Sequence, residues 1–226
     1  MLSSRILYED NHLIIVNKLN NELVQGDISG DVPLLEKVRE YIKNTYHKQG
    51  NVFCGLVHRL DRPVSGAVIF AKTSKALTRM NQLVKERKID KTYIAIVENR
   101  LENAEGVLRN HIRKNEKLNK SFISDIPKED YKIAELTYKI IGQSKRYTIV
   151  EVQLMTGRHH QIRAQLSHAG APIKGDLKYG ARRSNKDGSI SLHAAKLKFE
   201  HPVSHQMVEV EAPVLSEEFR MIMGNE

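Results

Sequence analysis

The sequence is poor in residues that build several common kinds of site. It contains a single cysteine, Cys54, which excludes a disulfide framework and any cysteine-rich zinc or iron–sulfur centre. A lone thiol of this kind is typical of a buried side chain in a reducing compartment. No apolar run approaches the roughly 20 residues of a membrane helix. The first residues, 1–6, also lack the apolar segment of a secretion signal. The sequence therefore predicts a cytoplasmic protein that does not cross a membrane.

Several catalytic and cofactor-binding signatures are missing as well. There is no G-x-x-x-x-G-K-[ST] phosphate loop and no G-x-G-x-x-G fingerprint, so we expect no nucleotide cofactor. No H-E-x-x-H helix is present, and Pro202 between His201 and His205 argues against a helical pair of metal ligands. Ser65 lies in a turn without the G-x-S-x-G context of a hydrolase nucleophile.

Positive charge is the most informative feature of the composition. The 226 residues include 36 Lys and Arg but 27 Asp and Glu, which gives a net charge of +9 and a pI of about 9.5. A pI above about 9 favours a nucleic-acid partner, although an unspecific basic surface remains an alternative. Residues 158–198 contain nine Lys or Arg and two acids, together with turn glycines. A basic, loop-rich surface of this kind suits RNA, and a solvated charge run is the alternative.

The distribution of strand and helix patterns predicts an α+β protein. Strands come in runs with helices only occasionally between them, which favours a mixed, mainly antiparallel sheet with flanking helices. No repeat or linker marks a boundary, so we expect one domain over residues 1–226. We predict a hairpin near 106–112 followed by a surface loop up to 131. The predicted strands are 5–8, 12–17, 67–72, 91–98, 132–141, 145–155, 190–199 and 206–212, and the predicted helices begin at Pro33, after an N-cap at Ser74, at His160 and near 215.

One stretch, residues 55–72, combines a turn, a buried-type strand and local positive charge. Asp61 lies between Arg59 and Arg62, with His58 before them and Pro63 after. Nearby positive charges favour the ionised carboxylate, so we expect Asp61 to be charged at neutral pH. An ionised carboxylate on a rigid turn can be a nucleophile, a base or a salt-bridge partner. The stretch itself leaves these three roles open.

A second stretch, residues 156–163, lies where a predicted strand ends and a helix begins. Arg158 and Arg163 fall at this junction, where the helix N-terminus adds partial positive charge. The site is either an anion-binding point or a solvated cationic helix start. Tyr179, in the basic segment, is a candidate for stacking on bases. Tyr93, at the start of a predicted strand, is by pattern alone most simply a sheet residue.

These stretches resemble, in order, the motifs of the RluA-type pseudouridine synthases. The similarity spans roughly residues 6–214. The matching motifs are His58-Arg59-Leu60-Asp61-x-x-x-Ser65-Gly66 with Ala71-Lys72, Lys91-x-Tyr93, Thr156-Gly157-Arg158-x-His160-Gln161-Ile162-Arg163, Pro172-Ile173-x-Gly175-Asp176-x-x-Tyr179-Gly180, Leu192-His193-Ala194 and His201-Pro202.

The resemblance implies an enzyme that isomerises a specific uridine in structured ribosomal or transfer RNA to pseudouridine. It implies a central RNA-binding cleft and no cofactor or metal, and we separately expect a monomer. Asp61 would be the nucleophile, attacking C1′ of the ribose or C6 of the base, Arg163 would pair with that carboxylate, and Tyr93 would lie against the target base. The expected RNA-binding residues are Arg59, Arg62, Arg158, His160, Gln161, Lys174, Tyr179, Arg182 and Arg183.

Some positions depart from the family pattern. The usual Lys-Pro-x-Gly near the N-terminus is replaced by Lys18-Leu19-Asn20-Asn21. Many members also carry a small RNA-binding domain of the S4 type, whereas this sequence starts with the catalytic domain, so we expect that domain to select the RNA. Two other functions stay open: a non-catalytic RNA-binding module, and a metal-free RNA-cleaving enzyme that uses His58 or His160 with Asp61.

Overall fold

The computed structural model describes residues 2–214, 217, 219 and 221, and the chain divides into two compact units. The first unit contains Met1–Asp90 and Ala194–Pro213, and the second contains Lys91–His193 and Val214–Glu226. The single domain expected over 1–226 stays a prediction. The helix expected from about 215 falls on a segment that lies mostly outside the described residues.

The first unit is built on antiparallel strands. The neighbour order is β1-β2-β4-β10-β11, and the short β3 pairs with β4. All six residues of β2 are buried, and the first four, Leu13 to Val16, form a continuous apolar run rather than an alternating one. The strands are β1 (Ile6–Glu9), β2 (Leu13–Lys18), β3 (Gly55–Leu56), β4 (Ser65–Ala71), β10 (Leu192–Glu200) and β11 (Met207–Glu211).

Two amphipathic helices belong to this unit. Helix α1 (Leu34–Thr45) follows Pro33 and buries Leu34, Val38 and Ile42, at the spacing the sequence predicts. Helix α2 (Ser74–Lys85) buries Ala76 and Met80 against the core. Its N-cap is Thr73, whose hydroxyl accepts a hydrogen bond from the Ala76 N–H. The predicted cap at Ser74 was wrong by one residue. Threonine and serine can both act as N-caps, and the helix begins at Ser74, so the residue before it, Thr73, is the cap.

Up to residue 193, the second unit contains five antiparallel strands and the helix α3. The neighbour order is β5-β9-β8-β6-β7. Helix α3 packs its buried residue Ala164 against Ile112 of β6, Ala134 of β8 and Tyr179. The elements are β5 (Ile89–Val97), β6 (Glu105–Asn115), β7 (Lys120–Ser124), β8 (Lys132–Gln143), β9 (Thr148–Leu154) and α3 (Gln161–His168).

The surface loop predicted from 113 to 131 was wrong in its first half. Strand β6 continues to Asn115 and β7 returns from Lys120, so the pair forms a hairpin that turns at 116–119. Most of its side chains are exposed or half-buried. A strand solvated on both faces lacks the alternation by which strands are recognised in a sequence.

The fold class predicted from the sequence is confirmed as α+β with a mixed, mostly antiparallel sheet. Three α-helices occur among the described residues. Within that part of the chain, none of the helices has the length and apolarity needed to span a bilayer.

Candidate active site

Asp61 lies on a tight turn that leads directly into a buried strand. Its carbonyl oxygen accepts a hydrogen bond of 3.0 Å from the Val64 N–H, which closes the turn. Strand β4 begins at the next residue and is buried from Gly66 to Ala71. The carboxylate is half-buried, whereas Arg59 and Arg62 are exposed. The structure thus places Asp61 on the rigid turn that its sequence context predicts.

His58 attaches this segment to β4. The Ile69 N–H lies 3.3 Å from His58 Nε2, and the Val57 N–H donates to the Ile69 carbonyl at the same distance. A ring nitrogen that accepts a backbone N–H carries no proton. This contact gives His58 a structural role, and it weakens the alternative in which His58 acts as the base of an RNA-cleaving enzyme.

Lys18, the last residue of β2, lies under the Asp61 turn and is fully buried. Its ammonium donates to the carbonyls of Leu19 and Arg62, each at 3.0 Å, and to the carbonyl of Val64. Burial lowers the pKa of Lys18 to about 8, and the charges of Glu22 and Asp61 partly oppose this effect. The ammonium therefore fixes the backbone on the C-terminal side of Asp61 and places a positive charge near it.

Sequence reasoning missed Lys18 as part of the site. It was noted in the sequence only as the first residue of the segment Lys18-Leu19-Asn20-Asn21, which departs from the family pattern. The sequence does contain a signal, because Lys18 closely follows the continuous apolar run Leu13 to Val16. A charged residue at the end of such a run has to find hydrogen-bonding partners inside the protein.

Gly66, the second residue of β4, is required by close packing. Its φ is +117°, and an added Cβ would lie 2.3 Å from the carbonyl oxygen of Ala194 and 2.5 Å from its nitrogen. Only a residue without a side chain allows the β10 backbone this approach. The glycine therefore sets where the strand that follows the Asp61 turn can run.

Tyr93 lies on β5 in the second unit, opposite Val152 of β9. It is only 8% exposed, so its ring is held by packing rather than lying free on the surface. Lys91, two residues earlier on the same strand, is half-buried. Both residues fall within the motif that resembles the synthase family.

The turn before α3 is organised by Gln161. Its Oε1 accepts hydrogen bonds from the Thr156 hydroxyl at 2.8 Å and from the Arg158 N–H at 2.9 Å, and its Nε2 donates to the Glu135 carbonyl. His160, the residue before the helix, has left-handed backbone angles of φ 51° and ψ 27°. Such a conformation is costly for a residue other than glycine and is held here by its surroundings.

Arg163 makes a buried bidentate ion pair with Asp176. The distances are 2.6 Å from Nε to Oδ2 and 2.9 Å from Nη2 to Oδ1. Both side chains are almost fully buried, and the guanidinium carbon lies 5.0 Å from the centre of the Tyr179 ring. Asp176 belongs to the sequence motif that begins at Pro172, but the motif alone does not indicate that it pairs with Arg163. The predicted pairing of Arg163 with Asp61 stays a prediction.

Tyr179 is a buried support rather than an open stacking face. It is 4% exposed, its hydroxyl accepts from the Ser121 N–H at 2.7 Å, and it lies 2.9 Å from His160 Nδ1. Burial raises the pKa of its hydroxyl. The His159 and His160 rings stack with their centres 3.7 Å apart. Tyr179 thereby connects β7 to the turn before α3.

The remaining predicted RNA-binding residues lie in three kinds of surroundings. Arg182 and Arg183 are exposed, although the Arg182 N–H bonds to the Glu98 carboxylate. Arg62 pairs with Asp31 at 2.6 Å. Two cations have local partners: Lys174 Nζ donates to Asn185 Oδ1 at 2.8 Å, and Arg158 Nε donates to the Ile133 carbonyl at 3.0 Å.

Comparison with known proteins identifies the family to which this sequence is similar. The family model described as RNA pseudouridylate synthase matches residues 12–168. A relative from Vibrio parahaemolyticus named ribosomal large subunit pseudouridine synthase C is 31% identical over 99% of this chain and 70% of its own length. A relative of the same name from Escherichia coli K12 is 31% identical over 94% of this chain and 67% of its own length.

Two solved structures have the same fold. The human RNA pseudouridylate synthase domain containing 4 superposes with a TM-score of 0.82 over 99% of this chain and 93% of that chain, at 21% identity. The human RNA pseudouridylate synthase domain containing 1 gives 0.73 over 93% and 83%, at 22% identity. At these identities the likeness concerns the fold alone.

The chain belongs to the RNA pseudouridylate synthase family. It is an isomerase that acts on RNA and converts uridine to pseudouridine. The family, the fold class and the enzyme class predicted from the sequence are thereby confirmed.

Proposed function

We propose that this protein isomerises a specific uridine of large-subunit ribosomal RNA, with Asp61 as the nucleophile. The observation that carries the proposal is the Asp61 turn, whose backbone is held by the buried ammonium of Lys18. A carboxylate on a fixed turn is the arrangement that a nucleophilic carboxylate requires. The names of the relatives support ribosomal RNA as the substrate.

The reaction exchanges one bond for another within the same nucleotide. The N1–C1′ bond breaks, a C5–C1′ bond forms, the proton on C5 leaves and N1 gains a proton. Asp61 attacks either C1′ or C6 and is released at the end. The proposed chemistry uses no cofactor or metal. The target base has to leave its stack first, which costs a few kcal/mol, and an aromatic neighbour such as Tyr93 offsets part of that cost.

We assign the other predicted site residues to two roles. Arg163 is proposed to pair with Asp61 while Asp176 holds its guanidinium in place. The cations, exposed except for the half-buried Arg158 and Lys174, would attract and hold the phosphates in an RNA-binding cleft. The predicted RNA-binding residues that are buried, such as Gln161 and Tyr179, would act indirectly, because their hydrogen bonds hold the neighbouring turns in place. The cations are Arg59, Arg62, Arg158, Lys174, Arg182 and Arg183, and His160 joins Tyr179 among the supports.

The test is Asp61→Asn, which removes the nucleophile and keeps the shape of the side chain. We expect RNA affinity within about threefold of wild type and no detectable pseudouridine by carbodiimide mapping of ribosomal RNA, because only the covalent step is lost. Asp130→Asn, at an exposed carboxylate with φ +63°, is the matched control and should remain active. Modification surviving in the Asp61 variant would refute the nucleophile assignment.

The same assay separates the remaining alternatives. A non-catalytic binding module would bind RNA and leave every uridine unchanged. An RNA-cleaving enzyme based on His160 and Asp61 would shorten the RNA, whereas isomerisation leaves its length and mass unchanged. We also propose that the protein works as a monomer in the cytoplasm. Mapping total RNA from a deletion strain would identify the target uridine.

A further inference from the structure

Lys91 is a half-buried cation with no anion beside it. Burial is the only influence on the pKa of its ammonium, and it lowers that pKa. Among the described residues, no carboxylate or hydrogen-bond acceptor holds this ammonium. The other buried lysines differ, because Lys72 lies 2.7 Å from Glu9 and Lys18 donates to three carbonyls. A covered charge without a partner is unfavourable, so its retention calls for an explanation.

The position of Lys91 on its strand relates it to Tyr93. Residues two apart on a strand project from the same face, with Cα atoms roughly 6.6 Å apart. The pairing of Thr92 with Gln153 and of Tyr93 with Val152 fixes the backbone of β5 at this point. The side chains of Lys91 and Tyr93 therefore leave β5 on the same face of the sheet, so one nucleotide could contact both.

We propose that Lys91 binds a backbone phosphate of the nucleotide whose base lies against Tyr93, and so fixes the target uridine in register. This inference rests on the proposed function, which places the target base at Tyr93. A phosphate supplies the anion that the chain itself does not provide. An ammonium is a compact point charge well suited to a phosphate oxygen.

The role differs from that of the exposed arginines at 182 and 183. Those side chains lie on the surface, where they attract RNA of any sequence. A single phosphate contact beside the reacting base sets the register of the bound RNA strand instead. Lys91 should therefore contribute one local contact rather than a diffuse attraction.

The test uses Lys91→Met with a hairpin from large-subunit ribosomal RNA, chosen as the fragment that wild-type protein binds most tightly. We expect affinity to fall about tenfold, as for one hydrogen-bonded charge. The slope of log affinity against log salt should fall in magnitude by about 0.7–0.9, as for one phosphate. Lys91→Arg keeps the cation and should recover most of the affinity.

Methylphosphonates placed one at a time along the hairpin identify the phosphate. At one position, the neutral linkage should weaken binding to wild-type protein about tenfold and leave binding to Lys91→Met unchanged. Lys48→Met is the matched control, because it removes one positive charge from an exposed lysine outside the basic segment 158–198. With this control variant, the neutral linkage should cost as much as with wild type.

Stability measurements distinguish ligand binding from a structural role. Removing a covered, unpartnered charge should leave Lys91→Met at least as stable as wild type in urea, whereas a structural lysine would leave it less stable. If every methylphosphonate costs wild type and Lys91→Met the same affinity, the inference is wrong. Failure of the proposed function is a separate result, in which the wild type binds the hairpin but forms no pseudouridine.

Discussion

At the scale of single residues, the Asp61 turn depends on a charge that lies beneath it. Three carbonyl groups meet the Lys18 ammonium, and two of them, from Arg62 and Val64, belong to the turn itself. An ammonium offers three N–H donors, whereas the neutral amine offers two. Losing the proton therefore leaves one buried carbonyl without a donor. The conformation of the turn should thus depend on the protonation of Lys18.

This dependence predicts a falling limb in the pH profile of catalysis. The pKa of Lys18 is about 8 in the folded protein, so kcat should fall as the pH rises through 8 while RNA affinity changes little. Lys18→Met should lower kcat by about 100-fold through misplacement of Asp61, and its profile should lack this limb. Lys48→Met, at an exposed lysine of the same unit, should retain both the rate and the limb.

Stability should respond to pH in the opposite direction. The unfolded chain keeps the Lys18 proton up to its ordinary pKa of 10.5, whereas the folded protein releases it at about 8. The unfolded state therefore binds more protons between these values, and this group makes the free energy of unfolding increase with pH across that window. Urea denaturation of wild type and Lys18→Met at several pH values measures the difference. A limb near pH 8 that persists in Lys18→Met would assign the titration to another group.

At the scale of elements, the contact between β4 and β10 leaves no room at Gly66. Gly66→Ala would put a methyl group 2.3 Å from the Ala194 carbonyl oxygen and would force alanine to adopt a φ of +117°. Because the clash involves backbone, it is not relieved by rotating a side chain. We expect a loss of about 3 kcal/mol or more in the free energy of unfolding, measured by denaturation.

Gly26→Ala provides the control for this prediction. Nothing lies within 4 Å of a Cβ at Gly26, and its φ is not in the left-handed region. The variant should therefore stay within about 0.5 kcal/mol of wild type. Equal stabilities for the two alanine variants would show that β10 can move away from β4 at little cost.

Elements whose pattern reflects their surroundings could be predicted from the sequence. The spacing of Leu34, Val38 and Ile42 predicts α1 because those three side chains face the core. The alternation in β9 and the apolar run in β4 work in the same way. The β6–β7 hairpin was predicted too early, near 106–112, because solvent reaches most of its side chains and its sequence shows no clear alternation of apolar and polar residues.

In the candidate site, too, features set by neighbouring residues could be predicted from the sequence, whereas contacts between residues far apart in the chain could not. The position of Asp61 on a turn before a buried strand follows from its neighbours in sequence. The contacts of Lys18 could not be predicted, because its partners in the Asp61 turn are 44 and 46 residues away. The Asp176 partner of Arg163 is 13 residues away across a loop. The partners of Lys18 and Arg163 are therefore identified only by the folded structure.

At the scale of the whole molecule, the net charge of +9 is unevenly distributed along the chain. Residues 158–198 carry a net charge of +7. Arg182 and Arg183 are exposed in this segment, next to Ala181, which is buried. Exposed cations of this kind attract polyanions at long range and release counterions from them. We therefore expect this segment to determine how steeply RNA binding depends on salt.

The double charge reversal Arg182→Glu with Arg183→Glu tests this expectation. Affinity for ribosomal RNA should fall, and the slope of log affinity against log salt should fall in magnitude by about 1.5–2, because two phosphate contacts are lost. The control is the double reversal Lys43→Glu with Lys75→Glu, which changes the net charge equally at exposed positions of the first unit. Since long-range attraction depends on total charge, the control should slow association somewhat but keep the slope within about 0.5 of wild type. Equal slopes for the two double variants would mean that total charge alone, and not this segment, governs RNA binding.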